Sequence, residues 1–210
     1  MARFIDMVPD VRGAAYGAPD DILIRALVRA TQELCKSSQC WREELDATYA
    51  QNGVGAYEFS VPYETSVDRI LWVKVGDRRG CKQSRPDDLL ARPSIVGAPS
   101  LFAQDSHRQE IHLWPTPGPD EHDKPITIYA ALSPTLRTTW LPDGLVDEYQ
   151  QGLVAAAKAD LLLNSPDMPW HDPQNALVQR AIADSIFTRA KRAQHSGHSM
   201  PLTVAARRFI

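Results

Sequence analysis

Leu141 to Gln194 constrains the chain most, because its apolar spacing fits two helices and little else. Leu141-Pro142-Asp143-Gly144 opens the first helix, and Leu145, Tyr149, Gly152, Leu153, Ala156, Ala157 and Leu161 then recur along one side. Asn164-Ser165-Pro166 closes it. Pro169-Trp170-His171-Asp172-Pro173 restarts the chain, with Asp172 as a cap and Pro173 at the first helical position. Val178, Ile182 and Ile186 mark one side of the second helix, and Ser196-Gly197 ends it. The run Ala155-Ala156-Ala157 is slim, so a neighbour can approach closely there.

The rest of the chain is arranged around this pair. Residues 1–18 are mixed and punctuated by Gly13 and Gly17, which predicts extended backbone. Pro19-Asp20-Asp21 starts a helix, since proline presets φ and acids suit the positive helix end. Ile22, Leu23, Ala26, Leu27, Ala30 and Leu34 give it one apolar face, and it is expected to end near Ser37-Ser38. Cys35 lies near that face and reads as a small core residue, and Trp41 as a lid over the helix end. Tyr57–Val61, Asp68–Val75 and Pro125–Leu132 alternate as half-buried strands do, and Leu101–Gln104 with Gln109–Trp114 reads as a hairpin. Lys82 to Pro99 is an excursion with a short helix at Asp87–Ala91. Pro115-Thr116-Pro117-Gly118-Pro119 is expected to be a loop without regular structure. Trp114, Trp140 and Trp170 border prolines, which suggests packed corners.

The fold class that follows is α+β: a helical bundle from 1–45 and 141–196, an antiparallel β-rich insertion from 46–140, and an extended tail from 197–210. A chain of 210 residues, 43% hydrophobic and 23% charged, can bury a real core. The charge is unevenly placed. Arg180, Arg189, Lys191, Arg192, Arg207 and Arg208 face only Asp184 in residues 180–210, a net of +5, and the whole chain carries −3, so the remainder carries −8. Such asymmetry suits an acidic partner for the tail; it also suits a solvated helix whose basic last turn complements the helix dipole. Three cysteines make no disulfide framework, an acid at Asp6 breaks any signal-peptide pattern, and no apolar run approaches the roughly 18 residues needed to cross a bilayer. These point to a chain made in a reducing cytoplasm.

No residue pattern carries an enzyme. Gly53-Val54-Gly55 lacks the length and the lysine of a phosphate loop, and no nucleophile elbow occurs. His107, His112, His122, His171, His195 and His198 are scattered without ligand spacing, and Asp120-Glu121-His122-Asp123 reads as a solvated loop, lacking the glycine of a calcium site. We expect no cofactor and no metal.

In layout the chain resembles the head-to-tail adaptor proteins of tailed bacteriophages. Ala18-Pro19-Asp20-Asp21 with Ile22, Ala26, Leu27, Ala30, Leu34-Cys35 and Trp41-Arg42 is similar to that family's opening helix. His112-Leu113-Trp114-Pro115-Thr116-Pro117 and Leu141-Pro142-Asp143-Gly144 resemble the end of its β region. Ala155 to Leu163, Pro169-Trp170-His171-Asp172-Pro173, Ala176, Phe187 and Ala190 resemble its final helical pair. Gly80 to Gly97 matches no part of this pattern.

The resemblance implies a virion structural protein at the head-to-tail junction. It implies a homo-oligomeric ring of twelve copies between the portal and the tail proteins, with a central channel that passes DNA without sequence-specific binding. A mildly acidic protein suits such a channel, because a basic lining holds phosphate tightly. The ring-interface candidates are Ala155, Ala156, Ala159 and Trp170. The portal-interface candidates are Leu202, Val204, Arg207, Arg208 and Phe209, in a tail that reaches toward the portal. Two other readings stand beside this one: another virion tail-completion protein, and a small intracellular regulatory or nucleic-acid-binding module using the basic C-terminal helix and tail.

Overall fold

The structure, a computed structural model, describes residues 1–46, 48–77, 80–105, 109–164 and 166–196. The fold is α+β. Its helices are α1 (Phe4–Arg12), α2 (Asp20–Ser38), α3 (Pro86–Leu90), α4 (Asp143–Leu163) and α5 (Pro173–Ser196). The 197–210 tail, with Leu202, Val204, Arg207, Arg208 and Phe209, lies outside the described residues.

Helix α1 corrects the expectation of extended backbone over residues 1–18. Phe4, Met7, Val8 and Val11 follow helical steps and are all buried. Pro9 inside the helix hides the pattern, because it removes one backbone donor and normally argues against a helix interior. Burying these four side chains outweighs that loss, at about 1.5–3 kcal/mol for each large one. Helix α2 begins as its sequence predicts, with Pro19 ahead of Asp20 and Asp21, and it ends where Gln39 turns left-handed at φ 54° and returns its N–H to the Cys35 carbonyl. Trp41 closes that end, edge-on to Trp140 with ring centroids 5.7 Å apart. Helix α4 opens after Pro142, and α5 is capped by Asp172, whose Oδ1 accepts the Asn175 N–H at 3.1 Å.

The longest sheet is centred on β11 (Pro125–Pro134). On one side it pairs antiparallel with β5 (Thr65–Val75), and on the other with β2 (Arg42–Glu44) and β3 (Thr48–Tyr49). A second sheet orders β4 (Ala56–Glu58), β9 (Glu110–Trp114), β8 (Leu101–Asp105) and β6 (Lys82–Gln83). Its centre is the expected hairpin, Leu101 opposite Trp114 through Asp105 opposite Glu110. The short β1 (Ala2–Arg3) pairs with β12 (Trp140–Leu141), tying the N-terminus to the start of α4. One apolar core runs through all of this, from Leu23, Leu27 and Leu34 of α2 and Leu153 of α4 to Ile126, Ile128 and Leu132 of β11 and Phe102 and Ile111 of the hairpin.

Two proline-rich segments hold more structure than their sequence suggests. Thr116–Pro117, expected to be loop, forms β10, which pairs parallel with β7 (Val96–Gly97). This is where the Gly80–Gly97 excursion goes: it wraps the hairpin, and Arg92 sits over the Trp114 ring, 4.7 Å from its centroid, while the Trp114 indole donates to the Pro93 carbonyl. The acidic turn after β10 is not fully solvated either. Glu121 is 1% exposed and lies 3.2 Å from the Lys124 ammonium, with the segment pinned to Ala50 by backbone bonds from Asp123 and to Lys124. An ion pair lets a carboxylate sit that deep, since an unpaired buried charge is strongly disfavoured.

Two chemical consequences follow from this packing. The Cys35 thiol is fully buried and held above its ordinary pKa, chiefly by the hydrogen bond it gives to Cys40 and by burial. Cys40 is partly exposed and lowered by that same bond, with further help from Ser38 and the backbone N–H groups of Cys40 and Trp41. Burial raises Cys81 to about 11. Iodoacetamide labelling of the native chain followed by peptide mapping should therefore modify Cys40 first; faster labelling of Cys81 would contradict this ordering.

Asp68 gives the second consequence. Desolvation raises its pKa above the ordinary 3.8, against a hydrogen bond from Ser133 Oγ at 2.9 Å and the nearby Lys36. The folded state thus holds this proton more tightly than the unfolded chain, so Asp68 weakens folding as pH rises through the interval between the two values. At neutral pH the full penalty is present, and it vanishes below the unfolded value. Asp68→Asn keeps the Ser133 bond and should raise the melting temperature at pH 7 by more than at pH 3; an equal or reversed difference would refute the assignment.

Candidate interaction surfaces

Three of the four ring-interface candidates lie at the floors of two grooves on the helical layer. Ala155, Ala156 and Ala159 are 3%, 4% and 5% exposed within a single chain. Their slimness is used first inside the subunit, where α5 crosses α4. At Gly152 an added Cβ would lie 2.8 Å from Ile186 Cγ2 and 3.3 Å from Phe187 Cε1.

Ala156 and Ala159 floor a groove of about 170 Å³ between α2, α4 and α5, with Ala30 and Ala176 beside them. Two ion pairs brace its walls. Arg29 reaches Asp160 at 3.3 Å, and Arg180 grips Glu33 with both guanidinium nitrogens, one at 2.9 Å, while its Nε lies 3.0 Å from Asp184. Two-point carboxylate contacts of this kind orient as well as attract. Leu163 and Leu177 stand exposed on the groove rim, Leu177 at 69%.

Ala155 belongs to a different groove, about 630 Å³, on the side of α4 that faces α1. Its rim carries Asp10, Asp147 and Glu148 against Lys158, and its lining includes Val154 and Ile182. Trp170 sits at the corner between α4 and α5, partly packed against the core, and its indole nitrogen and His171 Nδ1 are buried without a hydrogen-bond partner among the described residues.

A third surface was not apparent in the sequence. On the outer face of the main sheet, Trp72 and Tyr129 lie directly opposite each other and stack, with centroids 5.5 Å apart and rings inclined by 21°. Tyr129 and Ala131 share that face of β11, and their partners on β5 are Trp72 and Arg69. Residues an odd number apart normally point to opposite faces of a strand. The register shift between Tyr129 and Ala130 removes Leu71 from the count and turns Arg69 to the same face as Trp72. From the other side of β11, Arg42 lies opposite Ala131. The result is an aromatic ledge flanked by two arginines over a buried alanine, in a hollow of about 350 Å³ that Gln39 and Gln194 complete. Arg42 Nε donates to the Gln39 carbonyl and Arg69 Nη2 to Gln83 Oε1, and neither arginine forms an ion pair among the described residues.

Among the described residues there is no group of three or more His, Cys, Asp or Glu side chains placed to hold a metal ion, and no helix is long and apolar enough to cross a membrane. The prominent features are faces rather than a pocket with convergent chemistry. Comparison with known proteins agrees with that character. A family model described as SU10 adaptor protein matches residues 2–205, and no curated protein matches the chain. The match runs through the opening helices, the sheets and the closing helical pair as one unit, so the chain belongs to the SU10 adaptor protein family and is a structural adaptor protein of a bacteriophage.

Proposed function

We propose that the chain assembles into a closed ring of twelve copies at the head-to-tail junction, between the portal and the tail, around a channel that passes DNA. The observation that carries this reading is the adaptor-family match over residues 2–205. The physical arrangement is in keeping with it. The helical bundle of 1–45 and 141–196 supplies a stiff body, braced by the Arg180–Glu33 and Arg29–Asp160 pairs, and the β-rich 46–140 segment supplies a separate face. The tail of 197–210 docks to the portal, Leu202, Val204 and Phe209 filling apolar crevices and Arg207 and Arg208 pairing with portal acids. The channel holds DNA by its geometry and not by base contacts, consistent with the net charge of −3. Function lies in interface complementarity, and no reaction is catalysed.

Virions lacking this protein test the reading. A phage with a nonsense codon early in the reading frame should accumulate heads without tails, visible by negative-stain microscopy, and supplying the protein in trans should restore tailed particles. Tailed, infective particles formed in its absence would overturn it.

A further inference from the structure

We infer that the arginine-flanked Trp72–Tyr129 ledge of one copy docks into the acidic groove under Asp147 and Glu148 of a second copy. The inference rests on the ring reading above and names the two faces that would close it.

Three observations lead here. The ledge has the composition of an interface centre, where Trp, Tyr and Arg carry most of the binding energy. Trp72 is 37% exposed although stacked, and the strand bulge at Leu71 aims Arg69 beside it. The acidic groove offers the complementary chemistry: exposed Asp10, Asp147 and Glu148 outnumber Lys158, and Gln150, Gln151 and Gln179 line it together with Val154, Ala155 and Ile182. The Asp10 carboxylate accepts from Gln150 at 2.9 Å, and Asp147 meets no cation among the described residues.

Charge also fixes the kind of contact. Either face set against its own copy brings like charges together, which disfavours a two-fold dimer. The two faces share no lining residue, so one copy can use both at once. A contact between two different faces is heterologous, and heterologous contacts close into rings when the rotation allows.

The test uses two charge-reversed full-length variants, Arg42→Glu with Arg69→Glu and Asp147→Lys with Glu148→Lys, each checked for folding by its thermal melt. Each is mixed with the portal ring, and retained copies per portal are counted by native mass spectrometry. The wild-type chain should form a ring, and each variant alone should need at least about 10-fold more protein to do so. A 1:1 mixture should recover assembly, because alternating copies then present opposite charges at every contact. If a reversed variant melts early, Arg42→Gln with Arg69→Gln replaces it, and about a 10-fold loss is again expected. Wild-type rings with both variants unaffected would overturn the inference and leave the ring reading standing. Loss in each variant without recovery on mixing would also overturn this pairing of faces. A wild-type chain that forms no ring on the portal would overturn both.

Discussion

Gly152→Val is expected to lower the melting temperature by roughly 6–12 °C, the equivalent of about 3 kcal/mol in a chain of this size. The reason is local. Gly152 faces α5 directly, and even a single Cβ there would stand 2.8 Å from Ile186 Cγ2 and 3.2 Å from Ile186 Cβ. Valine adds two methyl groups to that clash, and both helices are anchored at neighbouring turns by Leu153, Ala183 and Phe187, which are buried. Gly152→Ala separates the opposing effects: it gains up to about 1 kcal/mol in helix propensity but overpacks by about 1–3 kcal/mol. Trimming the neighbour with Ile186→Ala in the Gly152→Val background should recover part of the loss, as a double-mutant cycle would show. Additive losses would mean that the crossing is not where the strain lies.

Deleting residues 199–210 is expected to abolish retention on the portal while leaving the melting temperature unchanged. The core cluster of the described residues runs from Phe4 to Ala190. The proposed anchors Leu202, Val204 and Phe209 would each contribute about 1.5–3 kcal/mol if fully buried in a partner. With about 1.4 kcal/mol per tenfold in affinity, losing three such anchors takes binding below detection in a pull-down. Arg207→Glu with Arg208→Glu should weaken docking less, and the loss should shrink as salt rises, because exposed charge pairs are screened. Undiminished docking of the deletion variant would remove the tail from the portal interface.

Much of the helical layer was legible from residue spacing alone. Pro19-Asp20-Asp21 and Asp172-Pro173 are start signals with a mechanism, and the apolar steps read for α2 and α4 match their buried residues; on α5, however, Val178 is exposed and Ala176, Ala183, Phe187 and Ala190 form the buried face, with Ile182 and Ile186 only partly buried. Helix α1 was not legible, because residues 1–18 are mixed and punctuated by Gly13 and Gly17, and only the tertiary burial of Phe4, Met7, Val8 and Val11, despite Pro9 inside the helix, makes it one. The longer strands were legible as strands, with the alternation of β11 marking Ile126, Ile128 and Ala130 as its buried side, but short ones such as Thr116–Pro117 were not, nor was which strand lies beside which. The pairing of Trp72 with Tyr129, and the bulge that turns Arg69 to join them, depend on which strand lies alongside β5, and this has no trace in local alternation. The same holds for Arg180 and Glu33, 147 positions apart in the chain and joined only because α2 and α5 meet. The slim alanines were recognised, yet spacing could not show that Ala155 would face one groove and Ala156 and Ala159 another.

The most direct test of the adaptor reading is cryo-electron microscopy of the purified chain incubated with its portal ring. A ring of additional density coaxial with the portal is expected, with an open central channel and the helical layer of residues 141–196 resolved in every subunit. A chain that stays monomeric beside undecorated portals, at concentrations well above those of assembly in an infected cell, would contradict it.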